Sequence, residues 1–356
     1  MNPQHNPTGL ICLAGSTPEA LVGTLEIKPF QARQILRWVH QKQQFDPDQM
    51  TDLSLELRRR LKEQVCTNAL ELLRTDVSAA APGTKKALFR LHDNETIESV
   101  LIRDEQRRTV CLSTQVGCAI KCAFCATGMS GYKRNLTISE IVEQALFMLR
   151  DEPLTGEGIP KPNIVYMGMG EPFRNYDAVV GSIHILMASW GLNIGARKIT
   201  VSTSGDIPGI ERFAHESWQV RLSVSLHAAN DTLRTKLVPL NKKYPLENLL
   251  AALSGYVITT GRQITFEWTL IKDVNDQPRD AEELAAVVHR LGAKRASVNL
   301  IPLNPVSGLP YATSPWPVCT RFRDLLDQRG VTVTLRKERG RDINAACGQL
   351  ARRHTE

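Results

Sequence analysis

From about residue 108 the chain alternates β-rich runs with amphipathic helical stretches, and this rhythm limits the fold more than any other feature. Seven runs read as strands: Arg108–Ser113, Asn163–Met169, Lys198–Thr203, Val220–Leu226, Ile264–Ile271, Ala296–Ile301 and Val331–Leu335. Between them lie helical patterns. The clearest, Ile138–Leu149, puts Ile138, Ile141, Val142, Ala145, Leu146 and Leu149 on one stripe. Thr137 and Glu140 supply a capping box at its start. Strands alternating with helices imply a parallel sheet, hence an α/β class and a full or partial TIM-like (β/α) barrel. Its chemistry belongs at the C-terminal ends of the strands.

Upstream the pattern differs. Residues 1 to about 24 read as weakly structured. Pro29–Gln43 and Ser54–Val65 then read as helices, the first with Ala32, Ile35, Leu36 and Val39 on one face. Lys86–His92 alternates as a strand, Asp93-Asn94-Glu95 as a turn and Thr96–Ile102 as the return strand. The expected division is a small helical and β accessory domain, residues 1–95, and a core domain, residues 96–350.

The chain has 356 residues, a net charge of +7 and a pI near 9.0, a balance compatible with a polyanionic partner. No apolar run approaches the roughly 20 residues that span a bilayer. Ile11–Ala14 is too short for a signal-peptide core, so a cytoplasmic location without membrane association is expected. Eight cysteines in such a chain do not suggest a disulfide framework. Four of them fall within Cys111–Cys125, which points to metal or redox chemistry.

The run Cys118-Ala-Ile-Lys-Cys122-Ala-Phe-Cys125 follows a strand and begins in a glycine-containing loop. Three thiolates can hold three irons of a cubane cluster and leave the fourth open to a chelating ligand. Structural zinc is the plainer alternative, but it closes with four ligands and no second pair follows here. An electron-transfer ferredoxin needs a fourth cysteine nearby.

The three-cysteine spacing, with an aromatic before the last cysteine, resembles the radical S-adenosylmethionine (SAM) superfamily. Further segments resemble the RlmN/Cfr family of RNA adenosine methyltransferases within it. They are Gly168-Met-Gly-Glu-Pro172, Ser202-Thr-Ser-Gly205, Ser225-Leu-His-Ala-Ala-Asn-Asp231, Val238-Pro-Leu-Asn-Lys-Lys-Tyr244, Asn304-Pro305 and Asp342-Ile-Asn-Ala-Ala-Cys-Gly-Gln-Leu350. The likeness runs from about residue 25 to residue 350, and the joint order of these segments makes it specific. It implies a radical SAM partial barrel and one 4Fe-4S cluster held by Cys118, Cys122 and Cys125, with exchangeable SAM on the open iron. Gly170, Glu171, Ser202, Ser225, Leu226, His227 and Asn304 match SAM contacts. Cys347 matches a cysteine that is itself methylated, Cys111 its partner thiol, and Glu98 a carboxylate that handles a proton.

The chemistry so implied uses two SAM molecules. One methylates Cys347. The second yields a 5′-deoxyadenosyl radical that takes hydrogen from that methyl group. The carbon radical adds to adenine, an electron and the carbon-2 proton leave, and Cys111 attacks the Cys347 sulfur to release product and form a disulfide. Adenine carbon 2 is electron-poor, so an ordinary methyl transfer has no nucleophile there. The implied substrates are the peptidyl-transferase-centre adenosine of 23S rRNA and an anticodon-loop adenosine of tRNA. The implied donor is a flavodoxin- or ferredoxin-type reductant, and a monomer is expected. Two alternatives stay open: a Cfr-type carbon-8 methyltransferase, and a non-catalytic zinc-containing RNA-binding module.

Residue chemistry agrees with these assignments. Gly170-Glu171 ends a strand, where glycine permits close approach and a carboxylate can accept from the SAM ammonium. Ordinary loop capping is the alternative for Glu171, Ser202 and Asn304. Arg336, Lys337, Arg339 and Arg341 lie just before Cys347 and are expected to depress its thiol pKa or meet phosphate. Cys12, Cys66 and Cys319 match nothing and read as inert buried thiols. Arg58-Arg59-Arg60 and Lys62, with Arg33, Arg37 and Lys42, form either a phosphate-binding patch or a solvated helix face.

Overall fold

All seven expected strands form, and together they make the parallel part of a ten-stranded sheet. The computed structural model describes residues 10–66, 68–105, 107–152, 160–292, 294–336 and 340–351. In chain order the strands are β1 (Glu71–Val77), β2 (Lys85–Arg90), β3 (Thr96–Asp104), β4 (Arg107–Cys111), β5 (Asn163–Tyr166), β6 (Ile199–Thr203), β7 (Arg221–Ser225), β8 (Ile264–Leu270), β9 (Ala296–Pro302) and β10 (Val333–Leu335). Their spatial order is the reverse of the sequence order, β10 to β1. The strands β4 to β10 are parallel, in registers such as Val110↔Ile164, Tyr166↔Val201 and Phe266↔Val298. β4 and β10 do not pair with each other, so the barrel is partial.

Strand interiors read as near-continuous apolar runs because helices cover the sheet. Ile164, Val201, Val224, Phe266 and Leu300 have no exposed surface or almost none. The connecting helix Ile138–Met148 starts at the expected capping box: Thr137 accepts from the Glu140 N–H, and Glu140 accepts from the Thr137 N–H at 2.8 Å. Among the described residues no helix is long and apolar enough to cross a membrane.

The N-terminal region departs from expectation. Residues 10–25 are ordered, not weakly structured. Ile11–Cys12 pairs with Val65–Cys66, and Pro18–Leu25 is a helix capped by Thr17. This helix is too short to show a strong period, but it buries Leu21 and Leu25. Gly15 makes the docking possible: a Cβ there would lie 2.6 Å from the backbone N of Ser139. Residues 1–9 lie outside the described part. The strand β1 had no sequence signal, because this edge strand is largely exposed and irregular between Leu72 and Arg74. The expected division at residue 95 falls in the turn between β2 and β3. Those strands pair from Lys85↔Leu101 to Arg90↔Thr96, so the sheet runs through it unbroken.

Candidate active site

The C-terminal ends of β5 to β9 surround a cavity of about 930 Å³, counting its open mouth. The barrel rim is therefore where the sequence pattern placed it. Cys118, Cys122 and Cys125 line this cavity, as do Gly170, Glu171, Ser202, Ser225, His227, Asn304 and Cys347. Three expected residues do not: Leu226, Glu98 and Cys111, the last lining a smaller neighbouring cavity. Leu226 lies in the main core, because residues 225 and 227 turn their side chains to the cavity and the one between faces away. Glu98 lines neither this cavity nor its smaller neighbour.

The cluster loop links the short strand Gln115–Gly117 to the helical turn Ala126–Met129. Gly117 has φ +73°, and a Cβ there would collide with the Gly131 carbonyl. The loop thus folds tightly on the hairpin partner Tyr132–Asn135. Its walls are dry: Ile120, Phe124, Leu237, Val238, Leu240 and Leu303 pack around the three cysteines. Burial pushes the Cys118 thiol up to about 12 and the Cys122 thiol well above its ordinary value. These thiols are neutral until a cationic centre draws off their protons, as metal coordination does. Among the described residues no three His, Cys, Asp or Glu side chains are grouped like the ligands of one ion. Thiolates on separate corners of a cluster stand further apart than that, and the dry, all-sulfur donor set suits an iron–sulfur cluster.

Glu171 is buried and firmly held. Its Oε2 accepts from the Ser204 N–H at 2.7 Å and from Ser204 Oγ at 2.6 Å, and its Oε1 accepts from the Phe173 N–H at 3.3 Å. It caps the turn Pro172–Asn175 while lining the cavity, so the capping and ligand-facing roles coexist. Burial raises its pKa against these bonds. Gly170, at φ +102°, lies so close to Gln115 that a Cβ would approach that side chain to 2.6 Å. Its small size serves packing within the chain. His227 has its pKa lowered to about 3 by burial, so the ring is neutral. Its Nδ1 accepts from the Thr269 N–H at 3.0 Å, and its edge meets Phe124. Among the described residues Asn304 Oδ1 is buried with no hydrogen-bond partner, an acceptor free for a ligand donor.

Cys347 belongs to two cavities. Besides the main one, it lines a smaller space of about 370 Å³ together with Cys111, Met167, Arg336 and Leu350. Burial and the nearby Cys347 push the Cys111 thiol up to about 12. The expected depression of the Cys347 thiol does not occur: desolvation raises its pKa, although Arg336 opposes this from 4.0 Å away. Lys337 and Arg339 lie outside the described residues, as does the Arg341 side chain. The two cysteines are not joined by a disulfide in this structure. Glu98 is fully buried, 3.0 Å from Lys86 Nζ, and its Oε2 accepts from the Ala351 N–H at 3.0 Å.

Two groups were missed. Glu267 lines the main cavity with its pKa raised by burial, and it accepts from Asn299 at 2.6 Å. Arg234 is buried and donates to the carbonyls of Ser204 and Ser225, tying β6 to β7. A carboxylate inside the apolar run Ile264–Leu270 was the available signal for Glu267. Of the arginine run on helix Leu55–Gln64, Arg58 and Arg60 are spent on the backbone carbonyls of Leu53 and Leu25. Arg33, Arg37 and Arg59 remain exposed.

Partial barrel, cysteine loop and rim residues define a radical SAM enzyme. Family models agree: residues 112–286 match the radical SAM superfamily, and residues 14–67 match the ribosomal RNA large subunit methyltransferase N-terminal domain. A radical SAM methyltransferase structure from Sphaerobacter thermophilus superposes with a TM-score of 0.90 at 45% identity, covering 95% of this chain and 98% of that one. The dual-specificity RNA methyltransferase RlmN of Magnetococcus marinus is 44% identical over 354 residues, covering 97% of this chain and 96% of its own length. A probable dual-specificity RNA methyltransferase RlmN of Dictyoglomus turgidum is 46% identical over 321 residues, covering 90% of each. The chain belongs to the RlmN family of radical SAM RNA methyltransferases. The family implies a 4Fe-4S cluster and SAM as cofactors and RNA as substrate.

Proposed function

We propose that this enzyme methylates carbon 2 of adenine in 23S rRNA, at the peptidyl-transferase centre, and in a tRNA anticodon loop. The observation that carries this reading is the place of Cys347, which shares one cavity with the cluster cysteines and another with Cys111. Cys118, Cys122 and Cys125 hold the cluster. Bound there, the cluster would supply the one-electron chemistry that an electron-poor carbon requires, and SAM would supply the methyl group. Glu171, Ser202, Ser225, His227 and Asn304 orient SAM, with Gly170 and Leu226 contributing backbone. Cys347 carries the transferred carbon. Arg336, 4.0 Å from its sulfur, favours the thiolate against a dry surrounding. Cys111 then displaces the Cys347 sulfur from the product, and the pair ends as a disulfide that a reductant must reopen. Glu98 fastens the Cys347 segment through Ala351, so its proton-handling role requires that contact to open.

The protein acts as a cytoplasmic monomer with a flavodoxin- or ferredoxin-type donor. Oxygen-free reconstitution with iron and sulfide, followed by assay on an rRNA fragment and a tRNA with SAM, tests the reading. Mass spectrometry should find 2-methyladenosine in both. The 8-methyl isomer would identify a carbon-8 enzyme, and bound zinc without iron would identify a non-catalytic module.

A further inference from the structure

The cluster loop is a wall one residue thick. Cys118, Ile120, Cys122 and Phe124 line the main cavity, while Ala119 and Lys121 between them face solvent. Just beyond, Met129 and Tyr132 are 57% and 44% exposed. Tyr132 sits opposite Gly117 in the hairpin, next to the first cluster cysteine. A second segment packs on this loop: Ala123 N–H donates to the Leu237 carbonyl at 2.9 Å, and Leu237 and Val238 meet Ile120 and Phe124.

The charge on these two segments has one sign. Residues 106–139 contain no Asp or Glu, and neither do residues 232–246. Arg134 is spent on Asp93 and Glu140, and Arg234 is buried. Lys121, Lys133, Lys236, Lys242 and Lys243 remain exposed.

We propose that this outer face, with Met129 and Tyr132 among exposed lysines, docks an acidic protein that carries single electrons. The proposal rests on Cys118, Cys122 and Cys125 being cluster ligands. One electron leaves the carrier and the cluster gains it; no atom is transferred. Electron transfer falls steeply with distance, and here a partner stands one chain thickness from the thiolates. Its acidic rim meets the lysines, and an apolar centre meets Met129 and Tyr132, the usual anatomy of a transient interface. RNA is the competing polyanion. However, its target base must reach Cys347 inside the cavity, and this wall separates the outer face from that space.

The test uses the cluster-loaded enzyme and a bacterial flavodoxin as probe. Lys121 has φ +58°, so Lys121→Asn removes its charge with a side chain that tolerates this backbone. Combined with Lys133→Glu, it should weaken flavodoxin binding on the order of tenfold and slow flavodoxin-driven cluster reduction in proportion. RNA affinity and dithionite-driven reduction should stay at wild-type values. Lys236→Glu, on the adjoining helix Asp231–Leu237, should act in the same direction without touching the cluster loop. Loss of RNA affinity with flavodoxin binding intact overturns the proposal in favour of a nucleic-acid face. Unchanged flavodoxin binding in both variants overturns it outright. A wild-type protein whose metal centre dithionite cannot reduce would instead overturn the cluster assignment on which the proposal stands.

Discussion

The cluster loop and the Cys347 segment touch, Ala126 N–H donating to the Gly348 carbonyl at 2.8 Å, yet they are held by different forces. The loop is set in an apolar wall of Ile120, Phe124, Leu237, Val238 and Leu303. The segment is tied by polar bonds to distant parts of the chain. Asp342 accepts from Ser78 Oγ at 2.7 Å and from the Ala79 N–H at 2.8 Å. Lys86 reaches the Asn344 carbonyl, Glu98 takes the Ala351 N–H, and Thr127 Oγ donates to the Leu350 carbonyl at 2.6 Å. Burial fixes a shape that need not change. Individual polar ties suit a segment whose sulfur, in the function proposed above, meets two partners in turn.

Four measurements test this contrast. The largest effect is expected from Cys347→Ala: methylation falls to background while the iron–sulfur absorbance persists, and any retained turnover removes the role given to Cys347. Phe124→Ala empties the wall beside the loop and should cost about 3 kcal/mol of unfolding free energy in denaturant titrations, with poorer cluster retention. Acid should act next. His227 and His40 have folded pKa values lowered to about 3 by burial, against about 6.5 in an unfolded chain. Below pH 6.5 the unfolded state takes up protons that the native state refuses, so stability falls as pH drops from 6.5 toward 3. Each histidine contributes about 1.4 kcal/mol per pH unit in that window, and His40→Leu should lessen the slope. The smallest effect is expected from Asp342→Ala. It frees one tie of the segment and should raise the alkylation rate of Cys347 several-fold, with cluster content unchanged.

What the sequence revealed follows the range of the interaction involved. The parallel strands were legible because buried β runs and their intervening helices are local patterns. The grouping of Cys118, Cys122 and Cys125 in one cavity was legible for the same reason, since they lie within eight residues of one another. Glu171 could be placed at the rim, but its partner Ser204 lies 33 residues away and leaves no local mark. The Lys86–Glu98 pair is formed across β2 and β3, and each residue alone reads as an ordinary polar position in an alternating strand. Arg336 was noticed as a cation near Cys347. Its effect on the thiol is not legible there, because desolvation, which composition cannot report, outweighs its field.

The unbroken sheet has one last consequence. The turn that grips Asp342 joins β1 to β2, and Lys86 and Glu98 stand on β2 and β3, so the Cys347 segment hangs from antiparallel strands outside the barrel. A chain trimmed back to its parallel strands would keep the loop of Cys118, Cys122 and Cys125 and leave the Cys347 sulfur adrift. Reaction centre and appendage are thus inseparable pieces of one device.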